Sequence, residues 1–300
     1  MYKTFLKGMY YIPKDFNEDP YTILKNANKN KLNFIIIEYS NNFLFDDYNF
    51  NKKQISKLFY IQDKLSSFEK KYKNTLGIIC FKCRSVIGPI KILLSKSIFR
   101  GEIFKLKNFY LWCYLNNPTL ILSNNNYSHI ENDTIKNYFT LHSDNFLKST
   151  DNYINLLNKN LKLTPIYTNN GYIYIKNSSN SLLNFVEIKQ HIISEIKNGN
   201  FYISNSDKFY LNFNIDSPKS SQTKNKFLKF NIQISNSEFL NQNFMIINEK
   251  NETIKSQNLY NLKNISHNFD IKNSANKFYI FKAISKNNLF ALTPPIYVNS

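Results

Sequence analysis

Arginine is almost missing from this chain: Arg84 and Arg100 are the two it has, and nearly all of its positive charge is lysine. Bidentate recognition of phosphate and guanine depends on the guanidinium fork, so a lysine-only surplus is weak support for a nucleic-acid site. Six glycines leave no Gly-rich loop to cradle a phosphate. Three cysteines, Cys80, Cys83 and Cys113, are too few and too unevenly placed for a secreted disulfide framework, which points to a reducing compartment. Cys80 and Cys83 form a single CxxC, and a zinc ribbon needs a second pair. No apolar stretch approaches the roughly 18 residues of a spanning helix. Lys3 and Lys7 interrupt what would have to be the apolar part of a signal peptide. The expected address is cytoplasmic.

What the chain does hold is core-forming material. Hydrophobic residues make up 42% and aromatics 16%, so the Asn- and Lys-rich tracts belong to a globular protein. The net charge of +18 is spread along the chain among Asn, Ile, Tyr and Phe, the look of a low-GC genome more than of a nucleic-acid footprint.

Short apolar runs alternate with longer helical patterns over the first two thirds, the rhythm of βα units around a parallel sheet or barrel. Strands are expected at Phe5 to Tyr11, Phe34 to Tyr39, Leu76 to Phe81, Lys91 to Ser95, Thr119 to Ser123, Tyr138 to His142 and Leu163 to Tyr167. Between them, Asp19 and Pro20 supply an N-cap and a first-turn proline for a helix to about Asn28. Further helices are expected at Lys52 to Tyr72, Lys105 to Leu115, Phe146 to Asn158 and Ile188 to Asn198, the last closed by Gly199. After about Ser206 the period shortens to strand spacing with turn residues between. Residues 1–206 and 207–300 are therefore read as two units, the second a small antiparallel β module.

Several separated segments resemble one family. FLKGMYYIPKDFNEDPYTILKNANKNKLNFIIIEYS, at Phe5 to Ser40, resembles the opening of the PHP (polymerase and histidinol phosphatase) superfamily, in which Lys-Gly and His-x-His close a first strand and Thr-Asp-His closes a second. Lys7-Gly8 and Leu32-Asn33-Phe34 are retained. The stretches Asn117 to Asn125, Leu156 to Gly171, Ile193 to Ser204 and Leu289 to Val298 are similar to later family segments in the same order, the last to the Thr-Asn-Pro-Ile-Tyr-Val ending of the CehA/McbA-like metallohydrolase subgroup. The resemblance implies an α/β fold, a distorted (β/α) PHP-type barrel of TIM-barrel-like design, over residues 1–206.

It also implies where a divalent-metal cluster would sit, at the C-terminal ends of the strands, and which residues would hold it. The His-x-His positions fall on Tyr11 and Pro13, and the Asp-His positions on Glu38 and Tyr39. The expected glutamate falls on Ile79. A histidine position falls on Asn124, and the closing Asp-x-His on Asn169 and Gly171. Of these, Glu38 alone is a good ligand. His142, at the end of an expected strand, is the candidate residual ligand; a hydrogen-bonded strand-end histidine is its plainer reading. Cys80 is read as core, and His129, His142, His191 and His267 are scattered.

The expectation is a catalytically degenerate PHP-like protein, with no cofactor, that binds an unknown protein or small-molecule ligand or acts as a scaffold. The alternative is a phosphoesterase or related hydrolase using Zn or Mn, and a weaker one is a basic nucleic-acid-binding protein.

Overall fold

Why residues 5–40 fold as they do is visible at each junction. Strand β1 (Phe5–Tyr11) runs parallel to β2 (Phe34–Ser40), and helix α1 (Pro20–Lys29) makes the crossover between them. The Asp19 side chain caps α1 by accepting from the Thr22 backbone N–H at 3.2 Å, with Pro20 in the first turn. Ile23, Leu24 and Ala27 form its buried face. Gly8 lies opposite Phe34 in the register, and a Cβ there would collide with the Phe34 ring, so glycine lets that ring lie over the strand. The structure, a computed structural model, describes residues 5–13, 18–40, 52–72, 74–85, 88–93, 119–122, 137–142, 146–158, 163–168, 171–177, 184–207, 209–216, 227–236, 242–259, 264–272, 278–285 and 289–297.

Helix α2 (Lys52–Lys71) leads into β3 (Leu76–Ser85), which extends the parallel set beside β2. From there the parallel order stops. Strand β4 (Gly88–Leu93) turns back antiparallel on β3, and β5 (Thr119–Leu122) pairs antiparallel with β4. A separate parallel pair, β6 (Asn137–His142) and β7 (Leu163–Thr168), is joined through α3 (Phe146–Asn158). On the other side of β1 lie β8 (Tyr172–Lys176), antiparallel to it, and then β9 (Phe201–Ser204), antiparallel to β8. Helix α4 (Phe185–Asn198) connects these two. It opens on a capping box between Asn184 and Glu187 and closes at Gly199, which takes the left-handed φ of 75°. Lys189 of α4 reaches Glu69 of α2 at 2.7 Å, and Glu69 also accepts from the Gly77 N–H at 2.8 Å, so one buried carboxylate ties two helices to the start of β3.

The remaining strands are β10 (Phe209–Asp216), β11 (Phe227–Asn236), β12 (Gln242–Asn248), β13 (Thr253–Leu259), β14 (Asn264–Lys272), β15 (Phe278–Ser285), β16 (Phe290–Leu292) and β17 (Ile296–Tyr297). Of these, β10-β11-β14 form a three-stranded antiparallel sheet. The others join a 12-stranded sheet of order β13-β12-β15-β16-β9-β8-β1-β2-β3-β4-β5, with β17 on β15. The β9–β16 pairing carries this sheet across residue 206. No helix among the described residues is long and apolar enough to cross a membrane.

The expected (β/α) barrel is therefore corrected: the described chain is mostly β, built on a broad mixed sheet with four helices among the described residues. Within that sheet, among the described residues, the β1–β2 and β2–β3 pairings alone are parallel. The cause lies at the connections. Two residues separate β3 from β4, enough for a hairpin and far short of a helical crossover. The expected strand at Lys91 to Ser95 begins too late to reveal that hairpin, and the helix expected at Lys105 to Leu115 lies outside the described residues.

Two hydrophobic clusters use opposite faces of the large sheet. Tyr174, Tyr202, Phe244, Ile246, Tyr279 and Phe281 pack with Phe209, Leu211, Phe230 and Ile232 of the small sheet. The alternate residues Ile173, Ile175, Ile203, Phe278, Ile280 and Leu292 belong to the main core, as do Tyr153 and Ile154 of α3 and Ile192 and Ile196 of α4.

Candidate functional site

Strand register decides which of the candidate residues can meet. Tyr11 pairs with Ile37, and Ile37 with Ile79, so these share a face with Tyr39, two residues on. Helices α1 and α2 lie on that face: Leu65 of α2 and Leu24 of α1 lie against Gly77, which pairs with Ile35. Tyr10 pairs with Ile36, and Glu38 with Cys80, so Tyr10, Glu38 and Cys80 share the opposite face. The surviving carboxylate is thus separated by the sheet from Tyr11, Tyr39 and Ile79.

On its own face Glu38 is engaged. The Tyr10 hydroxyl, fully buried, donates to Glu38 Oε2 at 2.7 Å, and Cys80 Sγ lies 3.3 Å from the Tyr10 hydroxyl oxygen. A phenol has one proton to give, so the short contact to the carboxylate takes it and the weakly donating thiol is left to face the phenol oxygen. Burial pushes the Tyr10 phenol well above the ordinary tyrosine range, with Cys80 and Glu38 adding to the effect.

The helix-side face holds a second polar group at the start of α1. The Tyr11 hydroxyl lies 2.8 and 3.0 Å from the two Glu18 oxygens and gives its one proton to that carboxylate, and desolvation together with that hydrogen bond pushes its pKa up to about 12. Tyr39 is buried beside Asp19 and Glu18. Desolvation raises its phenol first, and the two carboxylates raise it further.

The remaining candidates are dispersed or apolar. Ile79 is buried, Pro13 is half-buried just past the end of β1, and Gly171 is buried immediately before β8, whose Tyr172 pairs with Met9. His142 ends β6 opposite Thr168. Asn124 and Asn169 lie outside the described residues, as do Cys113 and His129. Cys83 sits opposite Ile90 in β3, His191 lies on α4, and His267 lies on β14 opposite Ile232. Among the described residues no three His, Cys, Asp or Glu side chains gather as a metal centre requires. The described positions do not fit the metal cluster that the sequence resemblance implies: they offer one carboxylate held by a phenol, two further phenols and alkyl groups.

Motif reading missed Glu18, and it missed the pairing of Tyr10 with Glu38. For Tyr10 a signal was present, because Tyr10 and Glu38 fall at positions of equal parity once β1 and β2 are aligned from Gly8 and Phe34.

No protein-family model and no curated protein matches this chain. Among solved structures, it is similar to a two-domain protein from Bacteroides vulgatus that contains a predicted PHP-like metal-dependent phosphoesterase, with 10% sequence identity, coverage of 98% of this chain and 95% of that one, and a TM-score of 0.46.

Proposed function

We propose that this chain is a catalytically degenerate relative of the PHP metallohydrolases that acts by binding or scaffolding. The observation that carries the reading is the buried hydrogen bond from Tyr10 to Glu38. It gives the carboxylate at the family's Asp-His position a structural task inside the sheet. Tyr11, Tyr39 and Ile79 stand at other ligand positions, and each is accounted for by packing or by the Glu18 and Asp19 group at the start of α1. Without a metal to lower the pKa of bound water, hydrolysis of a phosphoester at neutral pH lacks its nucleophile.

The test is elemental analysis of protein purified without chelator, paired with phosphomonoester and phosphodiester assays in added Mn²⁺ or Zn²⁺. The expected result is substoichiometric metal and no turnover. A full equivalent of metal together with turnover that disappears in Glu38→Ala would overturn the reading and establish the metal-dependent hydrolase in its place.

A further inference from the structure

Strand β13 ends the large sheet and, among the described residues, pairs with β12 alone. Which of its backbone groups face outward follows from the hairpin that leads into it. The Asn248 N–H donates to the Glu252 carbonyl at 3.1 Å, so Asn248 points its backbone groups toward β13. Alternation along β12, whose ladder with β15 runs unbroken from Gln242 to Asn248, turns Ile246, Phe244 and Gln242 the same way. Their partners Lys255, Gln257 and Leu259 are therefore bonded to β12, and Ser256 and Asn258 send their N–H and C=O groups to the open side. A register shift leaves Ile254 as an extra residue, and beyond it residues 255–259 form a regular edge. Natural edges are blunted by proline, by charge or by a covering element. This stretch holds a single charged residue and no proline, and Lys255, Ser256 and Asn258 are exposed.

We propose that β13 is a dimerisation edge that takes the β13 of a second copy of this chain, antiparallel, about a two-fold axis at Gln257. The strand is complementary to itself in that register. Ser256 falls opposite Asn258 of the second copy, and Asn258 opposite its Ser256, so every outward N–H and C=O of these residues finds a partner. Gln257 meets Gln257 of the second copy, amide beside amide, and Lys255 falls opposite Leu259, so no like charges face each other. An axis at Ser256 would bring the extra residue Ile254 into the ladder, and one at Asn258 would run past the end of β13. A two-fold contact of this kind closes on itself and joins the two large sheets edge to edge. The net charge of +18 works against it, so the dimer is weak in dilute salt and tightens as salt screens the repulsion. None of the residues around Glu38 takes part, so the pairing stands apart from the reading of that region.

The test is sedimentation equilibrium on the intact protein, from about 10 µM to about 1 mM, at low and at high salt. The parent is expected to show a concentration-dependent monomer–dimer equilibrium that is stronger at high salt. Ser256→Pro removes an outward donor without touching the β12 ladder, and Gln257→Lys sets two ammonium groups face to face. Both should stay monomeric, with a urea midpoint near the parent's to show that they are folded. Oxidation reads the register. Opposed residues of a non-bonded antiparallel pair have Cα atoms about 4.5 Å apart, within disulfide reach, so Gln257→Cys should cross-link through the introduced thiol and Ser256→Cys should not. A parent that stays monomeric throughout, leaving the edge to a different partner, would overturn the proposal. So would a dimer that survives both substitutions, or cross-linking at position 256 as readily as at 257.

Discussion

Replacing Tyr10 with phenylalanine removes one oxygen and little else. The ring stays in the core, so no cavity term is expected, and the change isolates the hydroxyl that donates to Glu38 at 2.7 Å and meets Cys80 at 3.3 Å. Losing a donor to a buried acceptor costs about 1–3 kcal/mol, and the fully buried setting of Tyr10 places it in the upper part of that range. The half-exposed hydroxyl of Tyr11, bonded to Glu18, sets the comparison: Tyr11→Phe should cost about 1 kcal/mol or less, because water can replace its bond. Urea denaturation of both variants reads the difference as a shift in midpoint at constant slope. A double-mutant cycle with Glu38→Leu adds a second criterion, with a coupling energy of about 0.5–3 kcal/mol for residues in direct contact. If Tyr10→Phe stays within about 0.5 kcal/mol of the parent, the ordinary range for an uninvolved site, the structural role assigned to Glu38 fails.

Three other outcomes are expected. Gly8→Ala forces a Cβ against the Phe34 ring and should cost about 1–3 kcal/mol by overpacking; Phe34→Leu in the same chain should recover part of it, and failure to recover any would show that the strain lies elsewhere. The folded Tyr11 pKa of about 12 lies above its unfolded value near 10, so this phenol's contribution is complete below pH ~10 and is lost as pH rises through about 12; denaturation at alkaline pH should show a smaller pH-dependent loss in Tyr11→Phe than in the parent. For Lys282 of β15, burial lowers the folded value, so the unfolded chain binds the proton more readily and stability rises as pH approaches 10.5. Lys282→Met should therefore stabilise the protein at neutral pH, with an advantage that shrinks toward pH 10.5, and a destabilised variant at neutral pH would refute the argument.

Local signals proved legible where the chemistry is local. Asp19-Pro20 marks the start of α1, and Gly199 marks the end of α4, because a cap is settled by residues within a few positions of one another. Phe146 to Asn158 could be read as a helix from its apolar period, and FIIIEY as a strand from its β-branched run. The mixed sheet could not be read this way. A short apolar run such as YIYIK in β8 looks the same whether its neighbour runs parallel or antiparallel, and the antiparallel β1–β8 ladder joins segments more than 160 residues apart. The β9–β16 pairing across residue 206 is equally non-local.

The candidate site divides along the same line. Glu38 stood out in the sequence as the carboxylate at a position where the resemblance implies a ligand, since residue type and order are properties of the chain itself. Its partner and its face were decided by how β1, β2 and β3 align. A shift of β2 by one residue in that register would carry Glu38 to the face of Tyr11 and turn Tyr39 to the other, and Tyr10 would lose its acceptor. Such an alignment is selected by the burial of whole faces, with Phe34 over Gly8 on one side and Leu65 against Gly77 on the other, and that condition exists only once the strands have come together.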